Sequence, residues 1–369
     1  MNVFLTGVTG NIGSAVARRL LSIEGGHIWL LMRSAGDGDL PDRLARLFEL
    51  WQLTPAQQRE AALRLTPLRG DMALPRFGLA DSDWSAIAAQ CDTLIHAAGV
   101  VRMNLPLEEA RRFAVGSADN LMSLADHIAK HRNVHIAYVS TVGVIGRLSQ
   151  PLVDDWVIQA RGFHNTYEQS KAEAEDRLRQ WSRRDNVTLT VHRPSMVVGA
   201  SDGKLLRHQV FYYLCEFLSG RHTKGIQPKL GDMSLDTIPV DYVADAVAWA
   251  VQHQRDDKIF NLCSGVGHEV KLSDVQRWVR STMGDRGLRL PPVHALPPSL
   301  FTAATKLLML LAPKDAKKRL ATLPVLLDYL HAPQVFDGKN TRDYLGRKAR
   351  LTLPTPETYL PAIIERYFT

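Results

Sequence analysis

Short apolar runs alternate with amphipathic stretches over the first two thirds of the chain. The runs lie at residues 2–6, 27–32, 65–68, 92–96, 133–140 and 187–192. Each is strand-length and rich in apolar residues, and 2–6 reads as a buried strand. Helix-period stretches at 14–22, 41–52, 55–64, 106–132 and 163–179 separate them. Strands alternating with helices predict an α/β fold with a parallel, doubly wound sheet. After residue 199 the alternation loosens. Residues 201–236 mix Gly, Lys, His and aromatics, and read as part of a substrate lobe. A short strand and a helix at 240–254, then a strand at 259–263, return to the sheet domain. Beyond them come a helix N-capped by Ser273, a Pro-rich connection at 290–298, and helical patterns at 299–312, 315–331 and 355–367. The expected division is a nucleotide domain at 1–200, completed by 236–265, and a smaller, mostly helical substrate-binding lobe at 201–235 and 266–369.

The first strand runs directly into Gly7-Val8-Thr9-Gly10-Asn11-Ile12-Gly13. A strand, a glycine turn and a helix make a phosphate site: glycines let the backbone approach a pyrophosphate, and the helix N-terminus offers free N–H groups. The spacing is G-x-x-G-x-x-G rather than G-x-G-x-x-G, and its place marks a Rossmann-type fold. The second strand ends in Arg33-Ser34. An acid there would hold a ribose 2′-hydroxyl, whereas Arg accommodates a 2′-phosphate, so NADPH is expected as cofactor rather than NADH. Arg43 is either a second phosphate partner or a plain surface charge. Asp71-Met72, Ala97-Ala98-Gly99, Ser140-Thr141 and Pro194-Ser195 follow later strands, and small residues at strand ends leave room for a cofactor. The expected cofactor set is therefore Thr6, Gly7, Thr9, Gly10, Asn11, Ile12, Gly13, Arg33, Arg43, Asp71, Met72, Ala97, Ala98, Gly99, Ser140, Pro194 and Ser195, joined by Tyr167 and Lys171.

Residues 163–179 contain Thr166-Tyr167-Glu168-Gln169-Ser170-Lys171 in a helix-favouring context. Residues four apart share a helix face, so Tyr167 and Lys171 are neighbours. An ammonium beside a phenol favours phenolate and lowers its pKa. A Tyr and a Lys at this spacing also occur on ordinary solvated helix faces, and the preceding motifs set this pair apart.

The glycine turn at residue 7, Ala97-Ala98-Gly99, Ser140-Thr141 and the Tyr167/Lys171 pair come in an order that resembles the extended short-chain dehydrogenase/reductase family over residues 1–265. The resemblance implies that Tyr167 is the catalytic acid/base, that Lys171 holds the nicotinamide ribose, and that a hydroxyl after the fifth strand binds the substrate carbonyl. Aligning Val144-Ile145-Gly146 with the family's Val-Tyr-Gly favours Thr141 over Ser140 for that role. Ala114 stands where the family usually has an Asn that supports the Lys. Asn165-x-Tyr167-x-Gln169-Ser170-Lys171-x-x-x-Glu175, Arg193-Pro194-Ser195 and the segment 239–245 look like thioester reductases and fatty acyl-CoA reductases. That branch implies NADPH-dependent reduction of an acyl thioester, carried by a protein or by CoA, to an aldehyde and in some members to an alcohol. With no adenylation or carrier segment in view, the expectation is a reductase acting in trans. The alternatives are an NADP-dependent ketone or secondary-alcohol oxidoreductase, a sugar-nucleotide epimerase or dehydratase, and a non-catalytic NADP-binding protein. Arg33 counts against the epimerase, and an intact Thr141/Tyr167/Lys171 set against the non-catalytic protein.

Composition adds less. The formal net charge of +7 suits phosphate-bearing cofactors or an acidic carrier protein, but no like-charge block suggests nucleic-acid binding. Cys91, Cys215 and Cys263 are far apart without a CxxC, which predicts reduced thiols, as in a cytoplasmic protein. No signal peptide is apparent. His96, His164 and His192 lack ligand spacing, so no metal is expected. The apolar segment 300–313 includes Lys306 and is too short to cross a bilayer, which predicts no stable membrane insertion. It either lines an acyl channel, touches a membrane or carrier protein, or is core.

Overall fold

In β1 (Val3–Thr6), Val3 and Leu5 pack into the apolar cluster on one face of the sheet and Phe4 into the cluster on the other. β2 (Ile28–Met32) divides in the same way, with Ile28, Leu30 and Met32 on one side and Trp29 and Leu31 on the other. Strands buried on both faces need a helical layer on each side. The computed structural model shows this arrangement. It describes residues 1–34, 36, 39–182, 184–204, 210–254, 256–297, 299–301, 303 and 334–369.

Helix α1 (Asn11–Leu21) follows β1, and α2 (Asp39–Leu50) and α3 (Pro55–Arg64) form an insertion before β3 (Leu65–Arg69). Thr54 and Gln57 make a reciprocal capping box that starts α3. Then come α4 (Asp81–Gln90), β4 (Thr93–His96), α5 (Leu107–Ala129), β5 (Val134–Val139), α6 (Thr166–Trp181) and β6 (Val187–Pro194). The short strands β7 (Met196–Val198), β8 (Ile226–Pro228), β9 (Ser234–Leu235) and β10 (Thr237–Pro239) surround α7 (Val210–Ser219). Helix α8 (Val240–His253) and β11 (Lys258–Leu262) complete the large sheet. The seven strands lie in the order β11-β6-β5-β4-β1-β2-β3, and every neighbouring pair is parallel. The winding reverses between β1 and β4, so their carboxyl ends open the crevice where ligands bind in such sheets. Helices α4, α5 and α6 cover one face; α1, α2 and α8 cover the other.

A separate apolar cluster joins α7, α9 (Leu272–Asp285) and the last helix, α11 (Pro356–Tyr367), through Phe211, Leu214, Val275, Val279, Tyr359 and Ile363. β12 (Val270–Lys271) pairs with β9, and β13 (His294–Leu296) with β8. These elements thus pack around an apolar cluster of their own. Helix α9 begins one residue before Ser273, with Lys271 at the N-cap. The C-terminal segment does not all belong to the lobe, as the sequence division at 266 supposes. Helix α10 (Lys339–Ala349) packs Leu345 and Tyr344 against α8 and β11, because Phe260 and Leu262 need cover at that sheet edge. Most of the helical patterns at 299–312 and 315–331, including the apolar stretch of 300–313, lies outside the described residues. Among the described residues, no helix is long and apolar enough to cross a membrane.

Candidate active site

The glycine turn lies against the end of β4. Gly7 has φ +82, and a Cβ there would sit 2.5 Å from the Ala97 carbonyl carbon and the Ala98 nitrogen. A Cβ on Gly13 would meet the Gly7 oxygen at 2.2 Å. Both positions demand glycine for backbone approach rather than for flexibility alone. Gly10 caps α1 without any side-chain hydrogen bond, and no acidic residue lies in the first turn, so the helix N-terminus faces outward uncompensated. Both polar atoms of the Asn11 side chain are buried and unpartnered. This cradle fits an anionic dinucleotide. Thr9 and Ile12 are half-buried in the same turn, and Ala98 and Gly99 follow β4 with Gly99 exposed.

Not every expected cofactor residue reaches the crevice. Thr6 is fully buried, and its hydroxyl pairs with His96 Nδ1 at 2.8 Å. Its side chain serves the sheet rather than a ligand. Arg43 is ion-paired with Asp39 at 2.6 Å, one turn earlier on α2, as a helical i,i+4 pair. Arg33 is exposed just past β2. Asp71 accepts the Ala73 backbone N–H at 2.9 Å in the turn after β3, and Met72 packs against the core. Ser140, buried, has no partner for its hydroxyl, and its backbone N–H donates to the His192 carbonyl. Pro194 ends β6, and the Ser195 backbone N–H donates to the Leu262 carbonyl.

Helix α6 carries the centre of the site. Asn165 caps it by accepting the Glu168 N–H at 3.0 Å. Lys171, Ala174, Glu175 and Leu178 form the buried stripe that turns the helix toward the sheet. Thr141 follows β5 and caps a single 3-10 turn (Val142–Ile145), accepting the Gly143 N–H at 3.1 Å. Its hydroxyl lies close enough to the Tyr167 phenol to draw that phenol's pKa down. The structure thus brings Thr141, not Ser140, to Tyr167.

The electrostatics differ from the lowered phenol pKa predicted from the Tyr167/Lys171 spacing. Tyr167 is pushed up to about 12: burial raises it most, the hydrogen bond to Thr141 draws it down, and the Glu168 carboxylate raises it again. Lys171 is lowered to about 8 by burial, against the pull of Glu175. Its ammonium donates to the Tyr138 hydroxyl at 3.0 Å and to the Val139 carbonyl at 2.8 Å. A dry site favours the neutral form of both groups.

Sequence reasoning passed over three further residues. Tyr138, fully buried, lies under the Lys171 ammonium. Glu168, next to Tyr167, is sealed from solvent and accepts the His164 backbone N–H and the His164 Nδ1 atom at 3.0 and 3.1 Å. Gln334 donates to Glu168 at 3.0 Å and to the Gly146 carbonyl at 2.9 Å, tying the C-terminal segment to the first turn of α6. Adjacency to Tyr167 pointed to Glu168; nothing local pointed to Tyr138 or Gln334.

The family model described as Male sterility protein matches residues 5–247. L-2-aminoadipate reductase of Saccharomyces cerevisiae is 28% identical over 315 residues, covering 76% of this chain and 22% of that protein. Isonitrile lipopeptide synthase of Streptomyces coeruleorubidus is 28% identical over 284 residues, covering 75% of this chain and 18% of its own length. This chain therefore spans 18% to 22% of the length of these relatives. Among solved structures, the terminal R domain from the myxalamid PKS-NRPS biosynthetic pathway superposes with a TM-score of 0.77 at 23% identity, over 100% of this chain and 89% of that one. The reductase (R) domain of a nonribosomal peptide synthetase from Mycobacterium tuberculosis gives 0.71 at 20% identity, over 100% and 90%. These two share the fold. With its glycine cradle, its parallel sheet and a family match running from β1 into α8, the chain belongs to the Male sterility protein family of extended short-chain dehydrogenase/reductases, which bind a nicotinamide cofactor.

Proposed function

We propose that this chain reduces an acyl thioester to an aldehyde with NADPH, the acyl group arriving on a carrier protein or on coenzyme A. The observation that carries the reading is the Thr141–Tyr167 hydroxyl pair, set beside the buried Lys171 ammonium at the carboxyl ends of the strands. The names of the relatives support it: an aminoadipate reductase and a lipopeptide synthase stand among the relatives in sequence, and a thiolation-reductase di-domain among the structural neighbours.

Gly7, Gly10, Asn11 and Gly13 would hold the pyrophosphate, and Arg33 a 2′-phosphate, which favours NADPH. A nicotinamide bound there supplies hydride to the carbonyl carbon. Thr141 and Tyr167 donate hydrogen bonds to the thioester oxygen as charge develops on it. The raised pKa keeps the Tyr167 phenol protonated at neutral pH, ready to pass its proton to that oxygen. The hemithioacetal then returns its hydroxyl proton to Tyr167 and expels the thiolate, which takes a proton from water. The balance is one thioester, one NADPH and one proton giving one aldehyde, one free thiol and NADP⁺. The lobe built on α7, α9 and α11 would cover the acyl chain, and the net charge of +7 suits an acidic carrier.

The test is oxidation of NADPH and of NADH with a panel of acyl-CoAs, acyl-carrier proteins, aldehydes and ketones. NADPH consumption matched by free thiol and aldehyde is the expected result. Turnover of ketones or aldehydes without any thiol release would contradict it.

A further inference from the structure

We propose that Tyr138 is a positioning residue for Lys171, its hydroxyl accepting one ammonium N–H and its ring lying under the charge. The inference rests on reading Lys171 as the cation of the site. Tyr138 stands on β5, 33 residues before Lys171. Its hydroxyl is 3.0 Å from Lys171 Nζ, and Nζ is 4.3 Å from the centre of its ring. The Val139 carbonyl takes a second N–H at 2.8 Å. An ammonium has three donors, so one is left for a ligand in the crevice.

The ring is itself held. Tyr138 stacks on His96, with centroids 5.5 Å apart and planes 9° apart. The Ser117 hydroxyl donates to the Phe113 carbonyl at 2.6 Å, so toward His96 it accepts. His96 therefore carries its proton on Nε2, facing Ser117 at 3.1 Å, and takes the Thr6 hydroxyl on Nδ1. This fixed, neutral imidazole clamps the Tyr138 ring below Lys171, and burial keeps it neutral. Of the ionisable groups on the same helix, Glu175 acts on Lys171 and Tyr167 lies near Tyr138. The Glu175 carboxylate is engaged by Arg193 from β6. Tyr138 is thus the neutral acceptor that keeps a dry ammonium charged and aimed.

Removing the hydroxyl while keeping the ring should discharge Lys171 earlier. Hydrogen bonds to charged groups are strong enough to move a buried amine by about one pH unit. The experiment follows the Lys171 ε-nitrogen by NMR in the cofactor-free, 15N-lysine-labelled full chain, assigned with Lys171→Met. Burial lowers Lys171 to about 8, so the wild-type midpoint is expected there. Tyr138→Phe should lower it by about one unit while the thermal transition stays sharp. An unchanged midpoint in folded Tyr138→Phe would overturn the proposal. If that variant does not fold, 3,5-difluorotyrosine at position 138 keeps the shape and weakens the acceptor. A smaller downward shift supports the proposal, and no shift overturns it. This readout needs no turnover, so a failure of the thioester-reductase reading leaves it intact, and its own failure leaves that reading intact.

Discussion

Arg193, at the end of β6, makes a two-pronged ion pair with Glu175 on α6, Nε to Oε1 at 3.0 Å and a terminal nitrogen to Oε2 at 2.6 Å. Arg193 is fully buried and Glu175 nearly so. Arg193 also donates to the Asp155 carbonyl at 2.8 Å. The pair pins α6 to the sheet one turn beyond Lys171. Breaking it from one side leaves a buried charge alone, which costs about 3–5 kcal/mol. Arg193→Met should lower unfolding stability by that amount in urea titration. Replacing both partners with apolar residues should cost less than either single change. A single variant as stable as wild type would show that the pair does not anchor α6.

The glycine cradle makes a steric prediction. A methyl group on Gly13 would overlap the Gly7 oxygen, so Gly13→Ala must push the turn away from the end of β4. Overpacking of this kind costs about 1–3 kcal/mol. Isothermal titration should show NADPH binding weakened at least about tenfold by the displaced backbone N–H groups. Affinity equal to wild type would place the dinucleotide elsewhere.

The two hydroxyls after β5 are separable. Thr141 meets Tyr167, whereas the Ser140 hydroxyl is buried without a partner. Tyr167→Phe and Thr141→Val should each reduce kcat by about 10²-fold or more. Ser140→Ala should change kcat by less than about threefold, as removal of an unpaired buried hydroxyl leaves no partner unsatisfied. Steady-state rates on the same thioester decide the matter, and the reverse ranking would move the carbonyl-binding role to Ser140.

Acid should unfold this chain through its buried imidazoles. His96 and His192 are both held near 3 by burial, reinforced by Lys171 for His96 and by His135 for His192. Their ordinary value is 6.5. Between these values the unfolded chain binds both protons and the folded chain neither. The stability they contribute is complete above 6.5 and is lost as pH falls toward 3. The two together give a slope of about 2.7 kcal/mol per pH unit. His192→Gln should reduce the measured slope between pH 4 and 6 by about 1.4 kcal/mol per unit. An unaltered slope would mean that His192 titrates normally.

The fold was legible because its signals are local. Continuous apolar runs such as Ile28–Met32 and the strand-turn-helix at Gly7 report both burial and connection within a few residues. Tyr167 and Lys171 were legible for the same reason, since helical spacing places them on one face. What escaped lies in contacts between distant segments. Thr6 is expected beside the cofactor, and its hydroxyl pairs with its strand neighbour His96. Lys171 was expected to acidify Tyr167, but its donors go to Tyr138 and Val139 on β5 and desolvation dominates the phenol. The C-terminal segment returns to the sheet domain at Leu345 because β11 leaves apolar side chains that the lobe does not cover.

The most direct test of thioester reduction follows the isotope. NADPH carrying deuterium at the transferable position is mixed with an acyl thioester and excess enzyme, and the products of a single turnover are identified by mass spectrometry with thiol titration. The account predicts an aldehyde bearing one deuterium on its carbonyl carbon, one equivalent of free thiol, and loss of both products in Tyr167→Phe. Deuterium transferred to a ketone or aldehyde substrate, with every thioester in the panel left intact, would contradict it.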